Sequence, residues 1–307
     1  MSRRSEAQGM QAFPVTKAFL VGMLYAGENE YAASVAALER QSLHDWDLVR
    51  IEHLPNKEAH NRLYRTFMER ADVYRFFLKL DADTVLRNEH SLEALYTLLD
   101  VPQRDTLVID VHDWISDSLI PAGMQAYSNR VRWPASPDML MVDHTPSFPG
   151  QGHRQYLPPA PLAEHSPDPS ALQAFRFGIH RCLKAIQPDR RAKDIRRAVL
   201  HWSVLKNVWR AYRSRGDTRR LTALLGAEAV LSELGDRLKL LESYSGPYTE
   251  ELFERLTRDP PEQQAAGLEQ LWGYESVNDQ RWLKALYSSP WIERGTVKDI
   301  DPDVPLA

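Results

Sequence analysis

The sequence predicts an α/β fold: a mixed sheet flanked by helices, followed by a mainly helical C-terminal region. Three observations predict it. Apolar runs and helical patterns alternate from the first buried run to Leu99, the way strands joined by crossover helices read. The stretch FFLKLDADTVL, Phe76 to Leu86, passes straight from a strand into two aspartates. Ligands in α/β sheets sit at such strand ends. Beyond Ser170 the strand signals give way to long helical periodicities.

Taken in order, Phe19 to Tyr25 (FLVGMLY) is a first buried strand, closed by Ala26-Gly27-Glu28-Asn29. A helix follows from Glu30 to Gln41, with Val35 and Leu38 at helical spacing. Asp47 to Glu52 is a second strand, His53 to Lys57 a loop, Glu58 to Ala71 a second helix and Tyr74 to Leu80 a third strand. This β-α-β-α-β order implies parallel neighbours. A helix is expected from Asn88 to Leu99, and Leu107 to Val111 and Gly123 to Trp133 continue the sheet. These elements suggest a sheet domain over 1–169 and a helical region over 170–307.

Composition narrows the class. The chain has 307 residues, 43% hydrophobic and 26% charged, which is ordinary for a soluble protein of one large or two smaller domains. A single cysteine, Cys182, excludes an internal disulfide framework and a cysteine-rich metal site and suits a reducing compartment. Arg3 and Arg4 are followed by polar residues, and the apolar run Ala18 to Ala26 is far short of a membrane span, so a cytoplasmic location is expected. Nine of the twenty prolines lie between Pro134 and Pro169, which marks an irregular, surface-lying segment suited to shaping a substrate site.

Charge is uneven beneath the net value of -4. From Arg176 to Arg220 there are fourteen Lys and Arg against three Asp, so the remainder is acidic. In Asp194 to Tyr212, Ile195, Val199, Trp202, Leu205, Trp209 and Tyr212 recur at helical spacing among arginines and lysines. Such a helix either packs on its own domain with a solvated basic face or lies at an anionic membrane surface. A peripheral position at the inner membrane surface is the second of these expectations.

Asp-x-Asp occurs four times, where about one is expected by chance. Asp45/Asp47 precedes an apolar run, and Asp299/Asp301 and Asp301/Asp303 lie in a polar tail. Only Asp81/Asp83 follows a strand. With period two, both side chains should face one way and Ala82 the other. Neighbouring carboxylates repel unless a cation or shared proton relieves them. A divalent metal, Mn²⁺ or Mg²⁺, held by one or two carboxylates plus substrate phosphates, would do so. The alternative is that both aspartates cap the next turn and helix.

Taken together, the strand into Tyr25-Ala26-Gly27-Glu28-Asn29-Glu30, the helix ending Leu38-Glu39-Arg40-Gln41, and the strand end Leu80-Asp81-Ala82-Asp83 resemble the nucleotide-binding half of a GT-A glycosyltransferase of family 2 type. The likeness runs from Ala18 to Leu99 and extends to about Lys184. It implies a metal-dependent hexosyltransferase that moves a sugar from a nucleotide diphosphate sugar to a hydroxyl acceptor on a glycan or glycolipid, with inversion. It also implies that Asp83 coordinates Mn²⁺ or Mg²⁺ and that Asp81 contacts the ribose or a metal-bound water. Tyr25 and Arg181 would contact the donor. Family members commonly carry an acidic pair and a glycine after the second strand; here Arg50-Ile51-Glu52-His53-Leu54-Pro55 stands there and leaves Glu52 for the base.

The resemblance further implies a histidine metal ligand after the catalytic loop. His165, in Ala163-Glu164-His165-Ser166-Pro167-Asp168-Pro169, is the choice, with His144 and His153 in reserve; the other reading is a surface loop histidine. For the general base the choice is Asp143, which follows the apolar run Met139 to Val142 and so should end a strand. Asp138 and Glu164 compete with it, and a turn-forming aspartate is the other reading. Gln173 to Arg181 is dense in aromatic and basic residues, fit either to place a pyrophosphate or anionic acceptor through Arg181 and Lys184 or to dock a helix on the sheet.

Two other functions compete. Nucleotidyl transfer expects a basic glycine-rich loop after the first strand, whereas Ala26-Gly27-Glu28-Asn29-Glu30 is acidic. A non-enzymatic protein binding an anionic membrane or nucleic acid through Arg176 to Arg220 is the third reading; the acidic remainder argues against nucleic acid as a partner.

Overall fold

The computed structural model describes residues 17–142, 146–148, 153–156, 161–190, 192–232 and 236–287, with the side chains of 153–156 excepted. Among these, eight strands form one sheet and ten helices surround or follow it. The strands are β1 (Lys17–Tyr25), β2 (Trp46–Glu52), β3 (Tyr74–Lys79), β4 (Thr84–Leu86), β5 (Thr106–Asp113), β6 (Ser118–Ser128), β7 (His153–Tyr156) and β8 (Ala163–His165). The helices of the sheet region are α1 (Tyr31–Glu39), α2 (Asn56–Glu69) and α3 (Ser91–Leu99). The C-terminal region holds α4 (Ala171–Ile186), α5 (Ile195–Arg215), α6 (Thr218–Ser232), α7 (Arg237–Glu242), α8 (Pro247–Leu256), α9 (Pro261–Trp272) and α10 (Glu275–Tyr287).

The strand order is β2-β1-β3-β6-β5-β8-β4, with β7 also paired to β5. β1 lies parallel between β2 and β3 and is apolar throughout its middle, as a strand covered on both faces must be. Alternation sends Phe19, Val21 and Met23 into a core shared with α1 and α3, and Leu20 into a core shared with α2. Phe76 and Phe77 divide in the same way. At Gly22 a Cβ would stand 2.5 Å from Leu63 and 2.8 Å from Phe77, so the missing side chain is what lets α2 settle onto the strand.

The sheet is mixed because β6 runs antiparallel beside β3 and β5. The strand expected over Gly123 to Trp133 lies further back, at Ser118–Ser128, through Pro121 and Ala122. Ala122 is left-handed, φ 56°, and its N–H donates to the Asp110 carboxylate at 3.0 Å, beside a register shift in the β5–β6 ladder. A proline and a positive φ read as a break in sequence, yet a bulge absorbs both. β4, β7 and β8 are too short to show a period, and none was expected. Conversely, Met139 to Val142 is not a strand, although Leu140, Met141 and Val142 are buried.

The C-terminal region packs through α4, whose apolar face meets α5, α6 and the helices beyond. Ser170 caps α4 by accepting from Gln173 N, and Asp194 caps α5 by accepting from Arg197 N. Gly216, left-handed at φ 70°, ends α5. The α4–α6 contact is unusually close. A Cβ on Gly178 would lie 1.7 Å from the Ala223 carbonyl oxygen, and one on Gly226 would lie 2.1 Å from the Phe175 carbonyl oxygen. Each glycine receives the other helix's backbone.

The basic stripe of α5 is used inside the chain. Arg197 pairs with Asp194, Lys206 with Glu275 and Asp279, Arg210 with Glu275, Arg213 with Glu269 and Arg215 with Asp117. Trp202 and Trp209 are buried beside them, Trp202 donating to Asp279 at 2.9 Å and Trp209 lying under the Arg213 guanidinium. The helix is therefore packed within its own fold, and these five cations are answered there. Among the described residues no helix is long and apolar enough to cross a membrane.

Gly178→Ala and Gly226→Ala are each expected to destabilise by about 1–3 kcal/mol or more, because backbone cannot give way as a side chain can. Gly267→Ala on exposed α9, where a Cβ meets nothing within 4 Å, should instead gain roughly 0.5–1 kcal/mol. Denaturant melts of the three variants check the contrast.

Candidate functional site

The parallel strands β1, β2 and β3 point their carboxyl ends at one cleft of about 500 Å³. β1 delivers Tyr25, the following turn delivers Glu28, β2 delivers Glu52, and the turn after β3 delivers Asp81 and Asp83. The strand stops at Lys79, earlier than its apolar run suggests, and Thr84 N–H donates to the Asp81 carbonyl at 2.9 Å to close the turn. Both aspartates line the cleft, and Ala82 is buried.

Each aspartate has its own cation from the chain. Lys79 Nζ donates to Asp81 Oδ1 at 2.9 Å. His165 Nε2 stands 3.3 Å from Asp83 Oδ2, and Ser166 adds a hydroxyl at 3.3 Å to the same oxygen. The other imidazole nitrogen, Nδ1, donates to Asp113 Oδ1 at 2.6 Å. Asp113 is fully buried, and its second oxygen accepts from Ser116 N at 2.7 Å and from the Ser116 hydroxyl.

Sheet register builds this row. β8 pairs with β4 so that His165 faces Thr84, and with β5 so that His165 faces Asp113. Ser166, left-handed at φ 47°, turns its N–H onto the Asp83 carbonyl at 2.7 Å. Trp114 N–H donates to the His165 carbonyl at 3.0 Å. The sequence offered a loop histidine as one reading; the structure places His165 in a strand between two carboxylates.

The electrostatics follow from burial and contact. Burial alone would lower the imidazole, but the Asp83 charge and the Asp113 hydrogen bond outweigh it and raise His165 to about 10. Burial alone would raise Asp113 and Asp83, yet the hydrogen bond and charge of His165 hold both below the ordinary carboxylate value. Glu28, at the same end of the cleft, is pushed up to about 7 by burial and then by the charges of Asp83 and Asp81. That end is short of positive charge even with Lys79 and His165 present.

Among the described residues no three His, Cys, Asp or Glu side chains form a preformed metal cage. A divalent ion held by one or two carboxylates and substrate phosphates does not need one. The donor set fits such an ion. Asp83 and His165 Nε2 converge, and a metal between them would take the place of the Nε2 proton. Asp113 on Nδ1 is the carboxylate that orients a ligating imidazole. Asp81 keeps its second oxygen for the cleft.

The remaining expected residues fall on both sides of the line. Tyr25 and Glu52 line the cleft. The Arg50 guanidinium sits 5.4 Å from the Tyr25 ring and 5.2 Å from the Tyr31 ring and pairs with Glu52 at 3.1 Å. Arg181 lines the opposite wall, 5.0 Å from the Phe177 ring. Asp143 and His144 lie outside the described residues, as does the side chain of His153. Met139 to Val142, read as the strand that Asp143 would end, is not one. Asp138 is engaged by Arg190 at 2.9 Å. Glu164, one residue from His165 on β8, turns instead to Arg87 and His112, both at 3.2 Å.

Sequence reasoning missed Glu28, Lys79 and Asp113. Glu28 had a usable signal, since it closes a buried strand as Asp81 does. Asp113 was hidden because Asp110, His112 and Asp113 interrupt the apolar run that defined β5.

No family model matches the sequence, and no curated protein matches it. Solved structures that resemble the fold at low similarity include two glycosyltransferases. One is a glycosyltransferase involved in glycosylating the major capsid of PBCV-1, 17% identical, TM-score 0.28, covering 36% of this chain and 60% of its own. The other is a mannosyltransferase from Pyrobaculum calidifontis in complex with GDP-Man and Mn²⁺, 13% identical, TM-score 0.34, covering 89% of this chain and 86% of its own. Both neighbours are glycosyltransferases. At these scores no residue role passes from them to this chain.

In chelator, the His165 contribution to stability should be fully present below the ordinary imidazole value of 6.5 and be lost as pH climbs to about 10. The Asp83 and Asp113 contributions should be fully present above the ordinary carboxylate value of 3.8 and be lost as pH falls below it. Denaturant midpoints against pH for wild type and His165→Gln test this; the variant's alkaline fall should flatten.

Proposed function

We propose that this chain transfers a sugar from a nucleotide diphosphate sugar to a hydroxyl acceptor of glycan or glycolipid type, with inversion, as a family 2 type GT-A enzyme does. The observation that carries the reading is the convergence of Asp81, Asp83 and His165 where parallel strands end, in a cleft whose far wall is basic. On this reading Asp83 and His165 hold Mn²⁺ or Mg²⁺, and Asp81 faces the ribose or a metal-bound water. The metal, when bound, neutralises charge that develops on the departing diphosphate.

The chain's own groups do the rest. Tyr25, stiffened by Tyr31 at 4.6 Å between ring centroids and by Arg50, offers the base a flat apolar surface. Glu52 reaches the base from β2. Arg181 faces the diphosphate from α4. Asp113 is a positioning residue: it keeps the His165 ring turned so that Nε2 meets Asp83. Asp143 is the proposed general base. What supports it is sequence order, since it follows Met141 and Val142, which line the cleft, while Asp138 and Glu164 are occupied elsewhere.

Calorimetric titration of UDP and GDP, each with Mn²⁺ and with chelator, tests the reading. One nucleotide should bind wild type only with the metal, and Asp83→Ala should abolish that binding. If neither nucleotide shows metal-dependent binding to wild type, the proposal fails. Asp113→Asn should weaken Mn²⁺-dependent binding by about 10–100-fold, measured below the variant's own unfolding transition; an unchanged affinity would remove Asp113 from the positioning role.

A further inference from the structure

Arg181 is a cation held by neighbours that do not neutralise it. Its Nε is buried and has no hydrogen-bond partner, and among the described residues no carboxylate lies within ion-pair distance of the guanidinium. Asp113, Asp83 and Asp81 act on it through their charge alone; burial outweighs them and lowers it from its ordinary value.

Two contacts fix where the guanidinium stands. Phe177, one turn earlier on the same face of α4, places its ring 5.0 Å from the guanidinium carbon. His201 of α5 stands with Nδ1 3.2 Å from Nη1. The Phe177 ring is also 6.0 Å from the His165 ring, so the same aromatic side chain neighbours the guanidinium and the imidazole beside Asp83.

A guanidinium only donates, so His201 Nδ1 accepts and the ring proton sits on Nε2. That requires a neutral ring. His201 is 7% exposed; burial lowers it well below its ordinary value, and Arg181, Lys184 and Arg197 lower it further. The residue type matters here. A carboxylate in this place would accept the same hydrogen bond, but it would also pair with the guanidinium, cancel its charge and draw its other donors. A neutral imidazole takes one donor and leaves the charge and the remaining N–H groups to the cleft, which both residues line.

We infer that His201 is a positioning residue for Arg181: by accepting from Nη1 without neutralising it, the imidazole aims the guanidinium at the diphosphate of the donor. This rests on the transferase reading of the same cleft.

The test is the preference for a nucleoside diphosphate over its monophosphate, UDP against UMP and GDP against GMP, titrated calorimetrically with Mn²⁺. His201→Phe keeps an aromatic ring and has no acceptor; the preference should fall about tenfold or more. His201→Asn sets its Oδ1 where the imidazole has Nδ1 and should restore most of it. His201→Asp keeps the hydrogen bond but adds a charge, so it should do no better than Phe. Arg181→Gln should lower the preference in wild type and add little in the His201→Phe background, because both changes remove one contact.

A wild-type preference in the Phe or the Asp variant overturns the inference. So do equal losses in Phe and Asn, which would assign His201 to packing, and full additivity with Arg181→Gln. If the Phe variant does not fold, Asn and Asp, alike in shape and different in charge, decide between them: equal preferences overturn the inference. A wild type that binds none of these nucleotides with Mn²⁺ defeats the transferase reading and the inference with it. A wild type that prefers the diphosphate while the His201 variants match it defeats the inference alone.

Discussion

The structure depends on one buried imidazole held between two carboxylates. His165 takes Asp113 on one nitrogen and Asp83 on the other, and through them joins β5, β8 and the turn after β3. One fully buried anion, one anion at the cleft and the cation between them stabilise one another; removing a partner from a buried pair costs about 3–5 kcal/mol because a charge is stranded. The chain therefore fixes the position of Asp83 with charge as well as with backbone. The same arrangement leaves Asp83 facing the cleft with a proton-bearing nitrogen beside it, the geometry in which a divalent ion can replace a proton.

The second wall of the cleft owes its place to two glycines. Gly178 and Gly226 let α4 and α6 touch backbone to backbone, which sets how far α4 stands from the sheet. Arg220 of α6 then reaches across. It is 1% exposed, donates to the Ile115 carbonyl at 3.0 Å and to the Trp114 carbonyl at 2.5 Å, and lies 4.1 Å from the Trp114 ring. Trp114 follows Asp113 directly, so the helical region grips the strand end that holds His165. Asn29 and Gln173 close the other side by hydrogen bonds to Asp168, Glu30 and each other. The acidic and basic walls are in this way parts of one body.

Much of the sheet was legible. Buried strands β1 and β3 betray themselves by apolar runs, and α2 by an apolar face repeated every three to four residues. What failed did so for identifiable reasons. β4 and β8 have three residues each, fewer than a period needs. The basic residues of α5 left two readings open, packing on its own domain or an anionic surface, and could not show that their carboxylates come from α9, α10 and the turn after β5, far along the chain. Local charge density says nothing about who answers it.

The sequence by itself determined that a buried strand runs up to Asp81 and Asp83, because an apolar run is a local feature and needs no partner; that both carboxylates line the cleft was decided by the turn after β3 and not by strand alternation. It determined the α/β class and the change to helices after Ser170 for the same reason: periodicity is local. Only the tertiary structure decided that His165 meets Asp83 and Asp113, residues 82 and 52 positions away, that Glu28 joins them, and that α4 and α5 supply a basic wall opposite. Those meetings are set by strand register and helix approach, which depend on surfaces finding one another across the whole chain and leave no short-range mark in the sequence.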